Sequence, residues 1–409
     1  MELLPTIYLA YMFASIYLLA LSLLLYLNNK KHLYEYPPLK KKFSISFVVP
    51  AYNEGKTIKD TINHIFAIDY PNIKEVIIVN DCSTDNTQKI VESLQKKYSK
   101  LILINNEKNL GNAAGSKNVG FKYASGELIA FVDADSYPSK DCLQKMVGYF
   151  EDKDMGAVTC SILVRNTEKF FGKIQAIEYK VVAFTRKLLG YVEGIYVTPG
   201  PLALYRRKAL DEVKGFDETN LTEDIEITWN LIAKGWKREM PLTTEVSTTA
   251  PEKLLDWYKQ RRRWSTGGMQ CMVKYRKEFL KKGILGTFVV PFFIVQFFLG
   301  IIGVAIFLYL LIRNGIANYI LVKYSIPANV PLLTIDDLFV SQSFLNYLGL
   351  TLFVLGFLFT IFTLSMIKES HLKKVKFIYI IFYSLIYLTA YPFIAISGVY
   401  NYFKRPDRW

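Results

Sequence analysis

Histidine and cysteine are both scarce in this chain. Three His (His32, His64, His371) and four Cys (Cys82, Cys142, Cys160, Cys271) among 409 residues exclude a disulfide scaffold and a zinc-rich module. The thiols show no C-x-x-C spacing and the His residues are scattered, so nothing supports a Cys nucleophile paired with His. Glycine fingerprints are missing too. No G-x-G-x-x-G follows the first predicted strand and no G-x-x-x-x-G-K-[ST] loop occurs, which disfavours nicotinamide hydride transfer and P-loop hydrolysis. Acidic residues are outnumbered, 36 against 50 Lys and Arg, for a net charge of +14. That excess suits either nucleic acid or a membrane face. With 51% apolar residues the chain is not disordered, and the placement of those residues decides between the two.

Residues 3–27 contain no charge, and they exceed the roughly 20 apolar residues needed to cross a bilayer. A cleaved signal peptide has a shorter apolar region after a positive start, whereas Glu2 is acidic. Residues 284–312, 344–367 and 377–400 are similar runs, so four spans are expected. Lys30, Lys31, Lys40, Lys41 and Lys42 follow the first run, and Lys281 and Lys282 precede the second. The positive-inside rule then makes the intervening segment cytoplasmic, and the loop bearing Lys368, Lys373, Lys374 and Lys376 suits the same side. The four Cys all lie in that segment and are expected as reduced thiols. Four spans would place Lys404, Arg405 and Arg408 on the opposite side, against the charge rule, unless one run is re-entrant.

Between the first two runs the pattern changes. Residues 43–50, 75–80, 101–105 and 128–132 are short apolar stretches separated by helical ones of about 15 residues, the signature of βαβ units and a mainly parallel sheet. Ligands of such sheets sit at the carboxyl ends of the strands. Here those ends carry Ala51-Tyr52-Asn53-Glu54, Asp81-Cys82-Ser83-Thr84-Asp85 and Asp133-Ala134-Asp135. One Asp in such a place is as readily a turn former or helix cap. Three acidic clusters at one edge would repel one another, and a hard divalent cation, Mg²⁺ or Mn²⁺, answers them while bridging to phosphate.

Farther on, Thr222-Glu223-Asp224 opens a helical stretch, with Thr222 as a possible N-cap. Gln260-Arg261-Arg262-Arg263-Trp264 follows. Three adjacent Arg are commonly a solvated or membrane-facing surface, but Arg at an anion and Trp against a sugar face also suit a phosphosugar. Residues 254–264, with Trp257 and Tyr258 beside basic residues, read as an interfacial helix.

The order Pro50-Ala51-Tyr52-Asn53-Glu54, Asp81, Asp133-Ala134-Asp135, Thr222-Glu223-Asp224 and Gln260-x-x-Arg263-Trp264 resembles the family 2 glycosyltransferases. It is most similar to their membrane-embedded processive synthases of poly-N-acetylglucosamine, hyaluronan, chitin and cellulose, and residues 221–229 and 250–268 look most like the first of these. The resemblance covers nearly the whole chain. It implies an α/β GT-A domain over residues 43–250, flanked by an N-terminal transmembrane helix (1–29), amphipathic interface helices (251–283) and C-terminal transmembrane helices (284–402). It also implies inverting transfer from a nucleotide sugar, such as UDP-GlcNAc, to a growing polysaccharide. Under it, Tyr52, Glu54 and Asp81 belong to the nucleoside side, Asp133 and Asp135 form the D-x-D pair with Asp135 on Mg²⁺ or Mn²⁺, and Glu223 flanks the general base Asp224. Gln260 is a substrate-binding residue of the motif, Arg263 lies near the diphosphate and Trp264 beneath the acceptor sugar. The family's frequent Lys after the Gly of Asn109-Leu110-Gly111 is replaced by Asn112, the nearest Lys being Lys117, and Thr198-Pro199-Gly200-Pro201 stands where the acceptor-side wall is expected.

The competing readings are single-sugar transfer to a lipid, a non-catalytic sensor of nucleotide sugars, and a nucleic-acid binder. Clustered carboxylates are costly without function, which opposes the sensor. Lysines collar the membrane flanks and no base-reading module is present, so no nucleic-acid partner is expected. The partners implied are the nucleotide sugar, a glycan or lipid acceptor, the plasma-membrane bilayer and, in some settings, an accessory subunit.

Overall fold

A computed structural model describes residues 3–325, 344–367 and 376–404. Glu2, Lys368, His371, Lys373, Lys374, Arg405 and Arg408 lie outside these residues.

Helix α1 (Leu3–Asn29) leads into strand β1 (Ile45–Ala51), helix α2 (Ile58–Phe66) and strand β2 (Ile73–Asn80). Helix α3 (Thr87–Gln95), strand β3 (Leu101–Asn105), helix α4 (Ala113–Tyr123) and strand β4 (Leu128–Phe131) continue the alternation. The four expected strands are thus found within two residues of their predicted limits. They pair in parallel in the order β3-β2-β1-β4, with Val48 opposite both Ile77 and Phe131. Side-chain alternation explains the double cover. Ile45, Phe47 and Val49 point into one core with Val76, Ile78 and Ala130, while Val48 points into the other with Ile77, Val79 and Phe131. A sheet buried on both faces reads as continuous apolar runs, as these strands do.

The second half adds β5 (Ser136–Pro138), α5 (Cys142–Met146), β6 (Met155–Thr159), β7 (Ser161–Val164) and the long helix α6 (Phe170–Gly190). After it come β8 (Ala203–Arg206), α7 (Arg207–Val213), α8 (Glu223–Ala233), β9 (Lys237–Glu239) and β10 (Glu245–Thr248). Strand β8 joins the main sheet antiparallel to β4 and β6, giving seven strands in the order β3-β2-β1-β4-β8-β6-β9, and β5, β10 and β7 make a smaller sheet. The sheet is mainly parallel, as the alternation predicts.

Helix α9 (Leu254–Lys274) carries the Gln-x-x-Arg-Trp motif. The predicted interfacial helix runs nearly three turns beyond Trp264, to Lys274, and Leu254 and Leu255 at its start are exposed. The remaining helices are α10 (Val290–Ser325), α11 (Phe344–Met366), α12 (Phe377–Phe382) and α13 (Ala390–Lys404). Four helical stretches, including α12 and α13 as one, are long and apolar enough to cross a membrane. The Tyr34 hydroxyl, just past α1, donates to the Met366 carbonyl at the end of α11 (2.6 Å), so those two helix ends lie together. The fourth stretch differs from the others. Tyr379 and Phe382 near its start pack on Phe170 of α6, and Asn401 near its end donates to Thr266 of α9. Both of its ends rest on helices of the α/β unit.

Candidate active site

The carboxyl ends of the parallel strands form one edge, but their acidic clusters are not used alike. Asp85 accepts from the backbone N–H groups of Thr87 and Gly55, both at 2.9 Å, and so pins the start of α3 to the loop after β1. It is the turn former that a lone Asp at such a position suggests. Asp81 is buried and accepts from Asn106 Nδ2 (2.7 Å) and Leu110 N–H (3.0 Å), which ties down the 106–110 loop. The expectation that three clusters gather on one cation is corrected accordingly, because these two carboxylates are occupied by neighbouring backbone and amide groups. Tyr52 stands half exposed at the end of β1.

Glu54, Asp133 and Asp135 do share a field. Burial, then the charges of Asp133 and Glu54, pushes the Asp135 carboxyl up to about 7. Burial also raises Glu54, opposed by the Thr57 hydroxyl and aided by Asp133. Among the described residues no three His, Cys, Asp or Glu side chains converge as a complete metal cage. The set therefore fits a hard cation that takes part of its oxygen ligands from elsewhere, as Mg²⁺ does with phosphate.

Opposite this pair lies a cation that the protein itself supplies. Lys117 of α4 is 1% exposed, with Nζ 2.7 Å from Glu223 Oε1 and 3.9 Å from Asp133 Oδ1. Burial works against its charge, yet Glu223 and Asp133 hold the ammonium above its ordinary range. Burial likewise opposes ionisation of Glu223, but Lys117 outweighs it and keeps that carboxyl low. Asp224, the next residue, goes the other way. Burial and the adjacent Glu223 charge raise it to about 6. Neighbouring carboxylates driven apart in this manner are how acid and base roles are assigned within one site.

Thr222 occupies the position before α8, but its hydroxyl bonds Asn220 Oδ1 (3.2 Å) instead of capping the helix. Its side chain is pressed against α9. A Cβ at Gly267 would fall 2.2 Å from Thr222 Oγ1, so only glycine lets the motif helix lie this close to the helix carrying Asp224. A Cβ at Gly200 would likewise fall 2.6 Å from Asp133 Oδ2, which puts the Thr198–Pro201 segment against the D-x-D pair.

Arg263 bears on both Asp133 and Glu223, so the motif reaches the centre. Trp264 is partly exposed, and the Arg261 guanidinium lies 4.1 Å from its ring centroid. Arg261 also donates to Gln260 and, at 2.6 Å, to Glu178 of α6. The Tyr387 hydroxyl donates to the same carboxylate at 2.6 Å, Tyr391 does so as well, and Trp257 Nε1 donates to Tyr387 at 2.6 Å. Lys117 and Glu178 had no functional reading in the sequence, and Arg261 stood there only as one of three adjacent Arg. The available signal was slight: Lys117 follows the small residues Ala113 to Ser116 of α4, and Glu178 is the one acidic residue of α6.

A mainly parallel α/β sheet with an Asp-x-Asp pair at its edge, next to the helix that carries Asp224, has the form of a GT-A-like fold. Residues 46–214 match the family model "Glycosyl transferase family 2". The poly-beta-1,6-N-acetyl-D-glucosamine synthase of Staphylococcus epidermidis is 30% identical over 284 residues, 69% of this chain and 68% of that protein. The chain belongs to family 2 of the glycosyltransferases. The enzyme of the same name from Staphylococcus aureus (strain COL) is 32% identical over 232 residues, and the match spans about half of each chain, 56% in both cases. The fold is shared end to end with the mannosyltransferase PcManGT of Pyrobaculum calidifontis, solved with GDP-Man and Mn²⁺, at a TM-score of 0.65, 19% identity and coverage of 99% of this chain and 100% of that one.

Proposed function

We propose that the protein is an inverting membrane glycosyltransferase that moves a sugar, GlcNAc from UDP-GlcNAc, onto a growing β-linked glycan. The observation that carries the reading is Asp224, raised to about 6 beside a Glu223 that Lys117 holds ionised, the same Lys117 Nζ lying 3.9 Å from Asp133 Oδ1. The likeness to poly-N-acetylglucosamine synthases supports the donor and the polymeric product.

In this reading Tyr52, Glu54 and Asp81 line the nucleoside side. A divalent cation, Mg²⁺ or Mn²⁺, held by Asp135 and Asp133 would neutralise charge developing on the leaving diphosphate. Arg263, with Gln260 on the same helix, answers the same diphosphate with a fixed guanidinium. Trp264 offers a flat apolar face to the acceptor sugar. Asp224 takes the proton from the acceptor hydroxyl as its oxygen bonds the anomeric carbon. The bond to the diphosphate breaks on the opposite side, so an α-linked donor yields a β linkage and the nucleoside diphosphate departs. Glu223 and Lys117 keep the base oriented.

The catalytic unit is assigned to the cytoplasmic face by Lys30, Lys31, Lys40, Lys41, Lys42, Lys281 and Lys282 at the ends of the flanking apolar helices. The contacts of α12 and α13 with α6 and α9 support three crossings, with the fourth apolar stretch lying along the catalytic unit and returning Lys404 to the same side.

Purified protein in detergent, given radiolabelled nucleotide sugars with Mg²⁺ or Mn²⁺, tests the proposal by product size. A ladder or high polymer from UDP-GlcNAc is expected. A single sugar on a lipid would replace the polymer reading with the simpler transfer, and wild-type turnover by Asp224→Asn would remove the base assignment.

A further inference from the structure

Arg261 of α9 is 2% exposed, and its guanidinium is held in one orientation. Nη2 donates to Glu178 Oε2 of α6 at 2.6 Å and Nε to Glu178 Oε1 at 3.3 Å, a two-pronged grip on one carboxylate. Glu178 is 6% exposed and also accepts from the hydroxyls of Tyr387 and Tyr391, the first at 2.6 Å. Both charges are buried, so each depends on the other and on those phenols. The grip fixes a flat cation against the motif helix, and two motif residues meet it. The Trp264 ring centroid lies 4.1 Å from the guanidinium, three residues along the helix and so on the same face. The Gln260 side chain accepts from Nη1. Arginine offers no acceptor, so the amide oxygen of Gln260 turns to it and the amide N–H groups point elsewhere.

With the guanidinium against one face of the indole, the opposite face is the one that can meet a ligand, and Trp264 keeps 37% of its surface exposed. Resting on the transferase reading above, we propose that Arg261 and Glu178 are positioning residues for the acceptor. The guanidinium, locked by Glu178, backs the Trp264 ring and holds it flat as the platform on which the acceptor sugar lies. A sugar binds more weakly to a ring that must first be ordered than to one already held. The same lock turns the Gln260 N–H donors toward the oxygens of the ligand. Glu178 lies on α6, and Tyr387 and Tyr391 belong to the last apolar stretch, so two segments outside α9 bear on the ring through one carboxylate. A lysine at position 261 would keep a charge for Glu178 but lose the planar fork and the ring contact, which makes it the substitution that isolates the platform.

The test uses the full protein in detergent with radiolabelled UDP-GlcNAc and a short soluble β-linked GlcNAc oligosaccharide as acceptor. Arg261→Lys and Glu178→Gln are each expected to raise the acceptor KM about tenfold, the scale of a buried cation–π contact. The KM for UDP-GlcNAc and the affinity for UDP should stay at their wild-type values. In a Trp264→Ala background the same substitutions should add nothing to the acceptor KM, since the ring they act through is gone. A merely structural role would add its effect in both backgrounds. If Glu178→Gln fails to fold, seen as lost UDP binding, Arg261→Lys decides. An unchanged acceptor KM in Arg261→Lys, an equal rise in donor and acceptor KM, or full additivity with Trp264→Ala each overturns the positioning role and leaves the transferase reading intact. If the wild type moves no sugar from UDP-GlcNAc to the oligosaccharide, the reading of donor and acceptor fails, and this inference with it.

Discussion

Lys117 Nζ stands 2.7 Å from Glu223 Oε1, joining residues 106 positions apart in the sequence at the centre of the site. The same ammonium lies 3.9 Å from Asp133 Oδ1, so α4, the end of β4 and the start of α8 are held by one buried cation. Its attraction for both carboxylates outweighs the burial that would otherwise neutralise it. Glu223 is thereby held below the usual carboxylate range, while burial and the Glu223 charge raise Asp224 beside it to about 6.

Lys117→Met is expected to lower stability by about 3–5 kcal/mol, because Glu223 would be left charged without its partner. Transfer should be lost with it. Adding Glu223→Gln should recover much of the stability but none of the transfer. Denaturant unfolding of the three proteins, paired with sugar transfer, separates the two effects. A Lys117→Met protein as stable as the wild type would mean that the pair does not hold the site together.

Gly267→Ala places a methyl where Thr222 Oγ1 stands 2.2 Å away. Overpacking of this kind costs about 1–3 kcal/mol, and a shift of Asp224 by an ångström against the motif helix is enough for about a hundredfold in rate. The expected signature is a fall in kcat larger than any change in donor KM. Normal kcat in Gly267→Ala would show that the helices part without moving the base.

The strands and their order of appearance are legible because a sheet covered on both faces writes itself as Val- and Ile-rich runs, seen at Val76 to Val79 and Leu128 to Phe131. The D-x-D pair, Asp224 and Arg263 are legible as a motif order, and the structure gathers Asp133, Asp224 and Arg263 about Lys117 and Glu223. What is not legible is pairing between distant segments. Asp81 and Asp85 look like Asp133 in sequence, yet their oxygens are taken by N–H and amide groups of nearby loops. Lys117 is a lone charge among small residues whose partners, Glu223 and Asp133, appear only when the helices are packed. The fourth apolar run has the length to cross a membrane, and its contacts with Phe170 of α6 and Thr266 of α9 are not legible in the sequence.

Activity should carry an acid limb set by Asp224. Burial and then the Glu223 charge raise its carboxyl to about 6, so it is protonated and unable to accept a proton below that pH. With Mn²⁺ saturating, so that Asp135 stays ionised, kcat/KM is expected to be level above about pH 7 and to fall tenfold per unit below about pH 5. A flat profile from pH 5 to 7 would rule out Asp224 as the base.

The last apolar stretch is the sharpest test of membrane arrangement. Composition alone lets it cross, which would carry Lys404 to the face opposite the catalytic unit. The contacts oppose this: Tyr387 and Tyr391 donate to Glu178 of α6, the Tyr258 hydroxyl lies 2.6 Å from Ser397 Oγ, and Thr266 Oγ1 lies 3.3 Å from the Gly398 carbonyl. These contacts tie the stretch to α6 and α9 and support the proposal that it lies along the catalytic unit. A cysteine at Lys404 is therefore expected to react with a membrane-impermeant maleimide from the same side as a reference cysteine at Lys96 in the catalytic unit, both in a Cys82→Ser background. Labelling from the opposite side would establish a fourth crossing. Tyr387→Phe with Tyr391→Phe completes the argument, since removing both phenols leaves Glu178 to Arg261 alone and frees the motif helix at that point. Transfer should fall at least tenfold while UDP binding persists, and unaltered transfer would reduce the last stretch to a passive anchor.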